Sequence, residues 1–363
     1  TRYSEQRYGY GGDRLDVCIF RLKKRGDDIL MLQPFMQDIV HGNSGGVSDI
    51  VKQKGEGAVV ECLKVVARDE YEVLVDITDL LEKNESYFGL GRFEMDLGIG
   101  TYVPESSFLK EVCPAAKSLT IRFVRTCMSV SPFPEPSVKS EPTRWEYGVS
   151  LCLLDKIPME GRMIDGRVGY FTNKVRNYDN AVYDKGECEF ISRWKLVPHR
   201  EQLEAYLGGD LVEPIKPIVF YIDKQIPTWL YPYVKRAVEA WQPAFERAGF
   251  KNAILARPEP TYAEDSVFSV DNARYAYISY KTSPLKNAYG PSSVDPRSGE
   301  ILCSHIGIFN SISDLVQELY FCQAGALDSL ARRIVLPDTL LGKLIQYVVC
   351  HEVGHALGLK HNF

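Results

Sequence analysis

The sequence predicts an α+β fold in two parts. A β-rich region spans 1–208, and a region of mixed sheet and helices spans 209–363 and ends in a helix bearing histidines. Three observations predict this. Short alternating or continuous apolar runs fill the first part, with no sustained helical period. From about Lys216 onward, strand-like runs are interleaved with amphipathic helical segments. Between the two, Gly208 to Pro217 holds two glycines and two prolines, the composition of a connection between domains. With 363 residues the chain has room for about two domains of roughly 150 residues.

In the first part, 14–20, 58–66 and 71–77 read as strands. The run Ser118 to Arg125 alternates most cleanly, as a half-buried strand does. Ser131 to Pro136 is a proline-rich break, read as a linker or a long hairpin loop. Strands are expected again at 146–154, 168–173 and 191–196, the last closing the first part.

In the second part, 217–222 is a strand. Trp229 to Ala248 reads as one amphipathic helix with Tyr233, Ala237, Ala240, Trp241, Ala244 and Ala248 on a single face, stopped by Gly249. Strands follow at 253–256 and 274–280, then a long loop over 283–299 and a strand at 301–309. A helix is expected over 314–333, broken at Gly325, and a last one starts at Pro337 with Asp338 as its cap.

Composition narrows the function. Lys and Arg number 43 against 48 Asp and Glu, a net charge of -5 with no basic run, which argues against nucleic acid as the main partner. No apolar stretch approaches the roughly 18 residues that span a bilayer, so no transmembrane segment is expected. The nine cysteines have no CxxC pair, so a cysteine-based metal knuckle is not expected; they read mostly as buried free thiols. Oligomeric state is not legible.

The chemistry is concentrated at the end: His351-Glu352-Val353-Gly354-His355-Ala356-Leu357-Gly358-Leu359-Lys360-His361. On a helix His351 and His355 lie one above the other. They are expected to continue the apolar stripe of Leu344, Tyr347 and Val348 and so to face the interior or the floor of a cleft. Gly358 can end the helix in a left-handed turn and let the chain bring His361 back. Three neutral imidazoles would hold zinc with one position left for water. Glu352, beside the first histidine, is placed to take a proton from that water. For this composition a chance HExxH arises with a probability of roughly 0.006, and the full pattern with about 10⁻⁵, so accident is a poor explanation.

The pattern HExxHxxGxxH resembles the metzincin clan of zinc metallopeptidases. More narrowly, His199-Arg200-Glu201, Trp241 to Phe250, Tyr289-Gly290-Pro291, Asp295 to Ile301 and Tyr347 to Phe363 resemble bacterial zinc-dependent metalloprotease families in which a β-rich domain of unknown function precedes the catalytic one. The resemblance implies a zinc endopeptidase. His351, His355 and His361 would be the metal ligands and Glu352 the general base. A polypeptide substrate would lie along an edge strand, for which 301–309 is the first candidate and 274–280 the second. It also implies a periplasmic, secreted or outer-membrane lipoprotein location. Two other functions remain open: a non-catalytic binding or structural protein with a relic zinc site, and a zinc amidohydrolase acting on a non-protein substrate.

The departures matter too. All six methionines lie upstream of the motif, at Met31, Met36, Met95, Met128, Met159 and Met163, so the methionine turn of the clan is missing. The chain starts at Thr1 without a leader and stops two residues past His361. It is therefore expected to be a piece of a longer protein, with the lower half of the cleft missing, and to be inactive alone. His305 reads as a core or edge residue more readily than as a neighbour of the metal, and Cys350 as a residue packed beside the helix.

Overall fold

The computed structural model describes residues 17–26, 29–34, 38–39, 58–82, 88–90, 99–129, 140–177, 187–282, 288–290 and 292–361. In the first part, β1 (Phe20–Arg25), β2 (Ile29–Pro34), β4 (Glu61–Arg68) and β5 (Val73–Val75) form one antiparallel sheet. A second is built on the long strand β8 (Ser118–Ser129). On one edge it pairs with β6 (Ile99–Tyr102) and β7 (Phe108–Ala115), on the other with β9 (Pro142–Cys152). A third joins β3 (Asp38–Ile39), β10 (Thr172–Asn177) and β11 (Glu187–Ile191). The expected strand at 14–20 begins only at Phe20, its first three residues lying outside the described set. The one expected at 191–196 ends where it was to begin, because Arg193 leaves this sheet to pair with Glu300.

Strand β8 is buried on both faces. Ile121, Phe123 and Cys127 point into a core with Leu63, Leu80, Leu81, Phe88, Trp145 and Tyr147. Arg125 lies on the same face and is buried. Its guanidinium is satisfied by the Leu81 carbonyl and the hydroxyls of Tyr102 and Tyr147, and stacks over the Phe123 ring. The opposite face meets the second part of the chain. Arg122 grips Asp271 Oδ2 from Nε and Nη2 at 3.0 and 2.9 Å, Asn272 donates to Ser118 Oγ, and Ala273 N donates to Ser150 Oγ.

The second part is a six-stranded sheet. β13 (Ile254–Pro258), β12 (Ile218–Ile222), β14 (Ala276–Lys281) and β17 (Glu300–Phe309) run parallel in that order. β15 (Ala288–Tyr289) and β16 (Ser292–Asp295) then pair antiparallel with β17. Neither expected edge strand is therefore an edge: β14 lies between β12 and β17, and β17 is closed by β15 and β16. Within the region read as a loop over 283–299, these two short strands return along β17.

Helices cover one face. In the first part α1 (Thr78–Glu82) and at the junction α2 (Leu203–Leu207) are short; α3 (Tyr231–Glu239), α4 (Gln242–Arg247), α5 (Ile312–Ala324) and α6 (Asp338–Ala356) belong to the second part. The single helix expected over 229–248 is thus two. Pro243 has no N–H for the helical ladder, and Trp241 turns inward to donate from Nε1 to the Cys350 carbonyl at 3.0 Å. The buried face is Leu230, Val234, Ala237 and Val238, while Ala240, Ala244 and Ala248 are exposed. Asp338 is the first helical residue of α6, after Pro337, and makes no cap bond. None of the nine cysteines is in a disulfide, and only Cys127 and Cys303 are buried; Cys18, Cys62 and Cys322 are exposed. No described helix is long and apolar enough to cross a membrane.

Ile306 and Ile308 of β17 pack with Ile345, Val349 and Val353 of α6, so His305 points to the other face, toward β8 and β9. It stacks edge-on to Tyr277, and its Nε2 is out of solvent with no partner among the described residues. Burial, and next the Lys281 charge, push its pKa from 6.5 down to about 3. The unfolded chain therefore binds this proton first. The contribution to stability is complete above pH 6.5 and is lost as the pH falls towards 3, at up to about 1.4 kcal/mol per pH unit. In urea titrations between pH 7 and 4 (roughly this window), His305→Leu is expected to flatten the decline seen in the parent. An unchanged slope would show that His305 does not control it.

Candidate metal centre

Helix α6 is apolar nearly all round, and its buried stripe is Gly342, Ile345, Val349, Glu352, Val353 and Ala356. Tyr347 and His351 are exposed and His355 is half-buried. This corrects the expectation that the two histidines continue the buried stripe. They flank it, on the open side, and the carboxylate occupies the stripe instead. Burial pushes the Glu352 carboxyl up to about 7, against a smaller opposing pull from His355.

The helix ends as its glycine demands. Gly358 N and Leu359 N bond back to the carbonyls of His355 and Gly354 at 2.9 and 3.1 Å, and Gly358 takes φ +101°. A Cβ on Gly358 would lie 2.0 Å from the Ser192 carbonyl oxygen. The turn redirects the chain so that His361 Nε2 lies 3.0 Å from His351 Nε2 and 3.0 Å from His355 Nε2. All three ring nitrogens fall within 4.8 Å of one another.

His355 is oriented by a second bond, 2.7 Å from Nδ1 to the Leu359 carbonyl. A carbonyl only accepts, so the proton is on Nδ1 and the Nε2 lone pair faces the other rings. Burial, then the two neighbouring imidazoles, hold His351 below its ordinary pKa and so favour its neutral form. Ring nitrogens at this distance need a proton or a cation between them, and one proton on His361 Nε2 cannot serve both contacts fully. The cluster is a candidate metal site by geometry and by donor type.

The structure thus brings together all three sequence-predicted histidines, with Glu352 beside them. It also brings in residues that the sequence did not flag. The Phe171 ring packs on His355 at 5.8 Å between centroids. Trp194 Nε1 donates to the Ala356 carbonyl at 2.9 Å. Tyr170 pairs with Leu359 as an antiparallel bridge. These contacts join residues at least 162 positions apart, and no local pattern announces such a pairing.

The chain belongs to the family described as a domain of unknown function, DUF5117, whose model matches residues 12–199, just over half of the sequence. Residues 333–363 match a second family model, described as Met-zincin, and the histidine triad fits a metzincin-like site. No curated protein and no solved structure matches the chain.

Gly358→Ala is expected to cost at least about 2 kcal/mol, from the left-handed backbone and the clash with Ser192 together. Gly166→Ala, where nothing lies within 4 Å, should stay within about 0.5 kcal/mol of the parent. Urea midpoints compare the two, and equal effects would mean that Ser192 does not confine the turn.

Proposed function

We propose that this chain carries the catalytic site of a zinc metallopeptidase, with His351, His355 and His361 as the metal ligands and Glu352 as the general base. The observation that supports the reading most directly is the convergence of three imidazole Nε2 atoms, with a buried carboxylate on α6 close enough to feel His355. A tetrahedral zinc site with Zn–N of about 2.0–2.1 Å sets its nitrogens about 3.4 Å apart. The two 3.0 Å separations need only a small opening to reach that value. Three neutral donors and no carboxylate among them suit a catalytic site that keeps one position open.

When bound, zinc supplies Lewis-acid polarisation of a carbonyl and acidifies water. The chain supplies the rest. Glu352, pushed up towards neutrality by burial, has the basicity to accept a proton from the attacking water and to return it to the leaving amine nitrogen. A nearby cation opposes that upward shift and keeps the carboxylate ionised at rest. The exposure of His351 and His361 leaves the site open on the side where a substrate must arrive.

The expected placement of the substrate changes with the sheet. β15 ends the strand order on the side of α6, and the following Gly290 lies so close that a Cβ there would sit 3.2 Å from the Glu352 carbonyl oxygen. An extended polypeptide would run beside this antiparallel margin, and neither β14 nor β17 would receive it.

Elemental analysis of protein purified without chelator is expected to give about one zinc per chain, lost in His351→Ala. In a protein that carries the complete cleft, Glu352→Gln should keep the metal and lower peptide cleavage about 10²- to 10⁴-fold. Absence of zinc from the parent protein, or unimpaired cleavage by Glu352→Gln, would sink this reading.

A further inference from the structure

We propose that the DUF5117 region is a working part of the metal site: its segment Gly169–Phe171 acts as a strap that sets the loop bearing His361, which makes Phe171 a positioning residue. This rests on the reading of the triad as a zinc site.

His351 and His355 are fixed by α6, whereas His361 lies beyond the helix and takes its place from the backbone of 358–361. Leu359 N still bonds back to the helix, at Gly354 O. The next amide does not. Lys360 N donates to Gly169 O at 2.9 Å, and Phe171 N donates to Gly358 O at 2.8 Å. These two bonds bracket Tyr170 and Leu359 as a non-hydrogen-bonded antiparallel pair.

The Leu359–Lys360 peptide, which the first of these bonds holds, is the one whose carbonyl receives His355 Nδ1–H. The strap therefore governs two of the three imidazoles. His361 follows the peptide directly. His355 is set through the Leu359 carbonyl and through the Phe171 ring against its own. The strap is itself anchored, since Phe171 O accepts from Ser192 N at 2.7 Å and the chain enters β10 at Thr172. Groups that orient metal ligands from behind commonly change metal affinity about 10- to 100-fold when removed.

The test measures zinc affinity by chelator competition and the visible absorption of the cobalt-substituted protein. Phe171→Pro deletes the amide donor and the ring. Lys360→Pro deletes the bond from the opposite side at an exposed position, and decides the matter if Phe171→Pro does not unfold cooperatively. Both are expected to weaken zinc about 10- to 100-fold, towards the value of His361→Ala, and to lose the intense absorption of four-coordinate cobalt. Phe171→Tyr, which keeps both contacts, should match the parent. Affinity and cobalt spectra unchanged in both proline variants, with His361→Ala weakened, would overturn the strap and leave the metal reading standing. A parent protein that takes up no zinc would overturn both.

Discussion

Two consecutive carbonyl groups govern how the halves of this chain fit together. The oxygens of Ile191 and Ser192 lie where a side-chain carbon on Gly299 or Gly358 would be, at 2.2 and 2.0 Å, and both glycines have positive φ. One glycine closes the turn between β16 and β17; the other ends the helix of the histidines. Both turns need left-handed backbone for local reasons, and both need a bare backbone for a non-local one. Arg193 then exchanges bonds with Gly299 and Ile301, so the thread leaving β11 is held between the sheet and the helix end. Positions 190–194 thus register two turns that are far apart in sequence.

The same packing sets the electrostatics. Because Glu352 lies on the stripe of α6 that meets the core, its carboxyl is dry and its proton affinity is raised. Because His351 and His361 lie off that stripe, their nitrogens remain open to an incoming group. A rotation of α6 by about one residue's angle, roughly 100°, would carry Glu352 to the open side that His351 now occupies. Trp241 opposes that rotation from one flank: Nε1 holds Cys350 O, and a Cβ on Gly354 would meet the ring at 2.9 Å. Trp194 opposes it at the end, through Ala356 O. The triad also stands at the C-terminal end of the helix, where the helix dipole favours positive charge by about 0.3–1 kcal/mol.

The centre was legible because its geometry is local. A spacing of four residues stacks two histidines, and a glycine three residues later permits a turn that returns a third. The strand over 118–125 was legible for the same reason, its alternation being a property of successive residues, though it runs on to Ser129 and is buried on both faces. What could not be read depends on partners distant in sequence. Leu344, Ile345, Tyr347, Val348 and Val349 are all apolar, so the period of α6 does not say which side meets the core, and the stripe was assigned to the wrong flank. Edge status is a relation between strands, and β17 lost it to a return strand hidden in a segment rich in Gly, Pro and Ser. The break at Trp241 is an intermediate case, since Pro243 signals it locally but the alanine spacing on either side masks the signal.

The family match ending at residue 199 and the match beginning at 333 divide the sequence, but the hydrogen bonds do not respect that division. Residues 169–194 contribute backbone or indole donors and acceptors to Gly299, Ile301, Ala356, Gly358 and Lys360. Arg122 and Ser118 hold the loop at Asp271 and Asn272 from the other side. An appended module would meet its neighbour through side chains on a polar surface and could leave without exposing backbone. Here separation would strand the carbonyls of Ala356 and Gly358 and the amide of Lys360 at the turn that follows the second histidine. Each of these hydrogen bonds exchanged for water costs about 0.5–1.5 kcal/mol net. The helix end and the β-rich region are therefore coupled energetically, and the order of the triad depends on a surface that the motif itself does not contain.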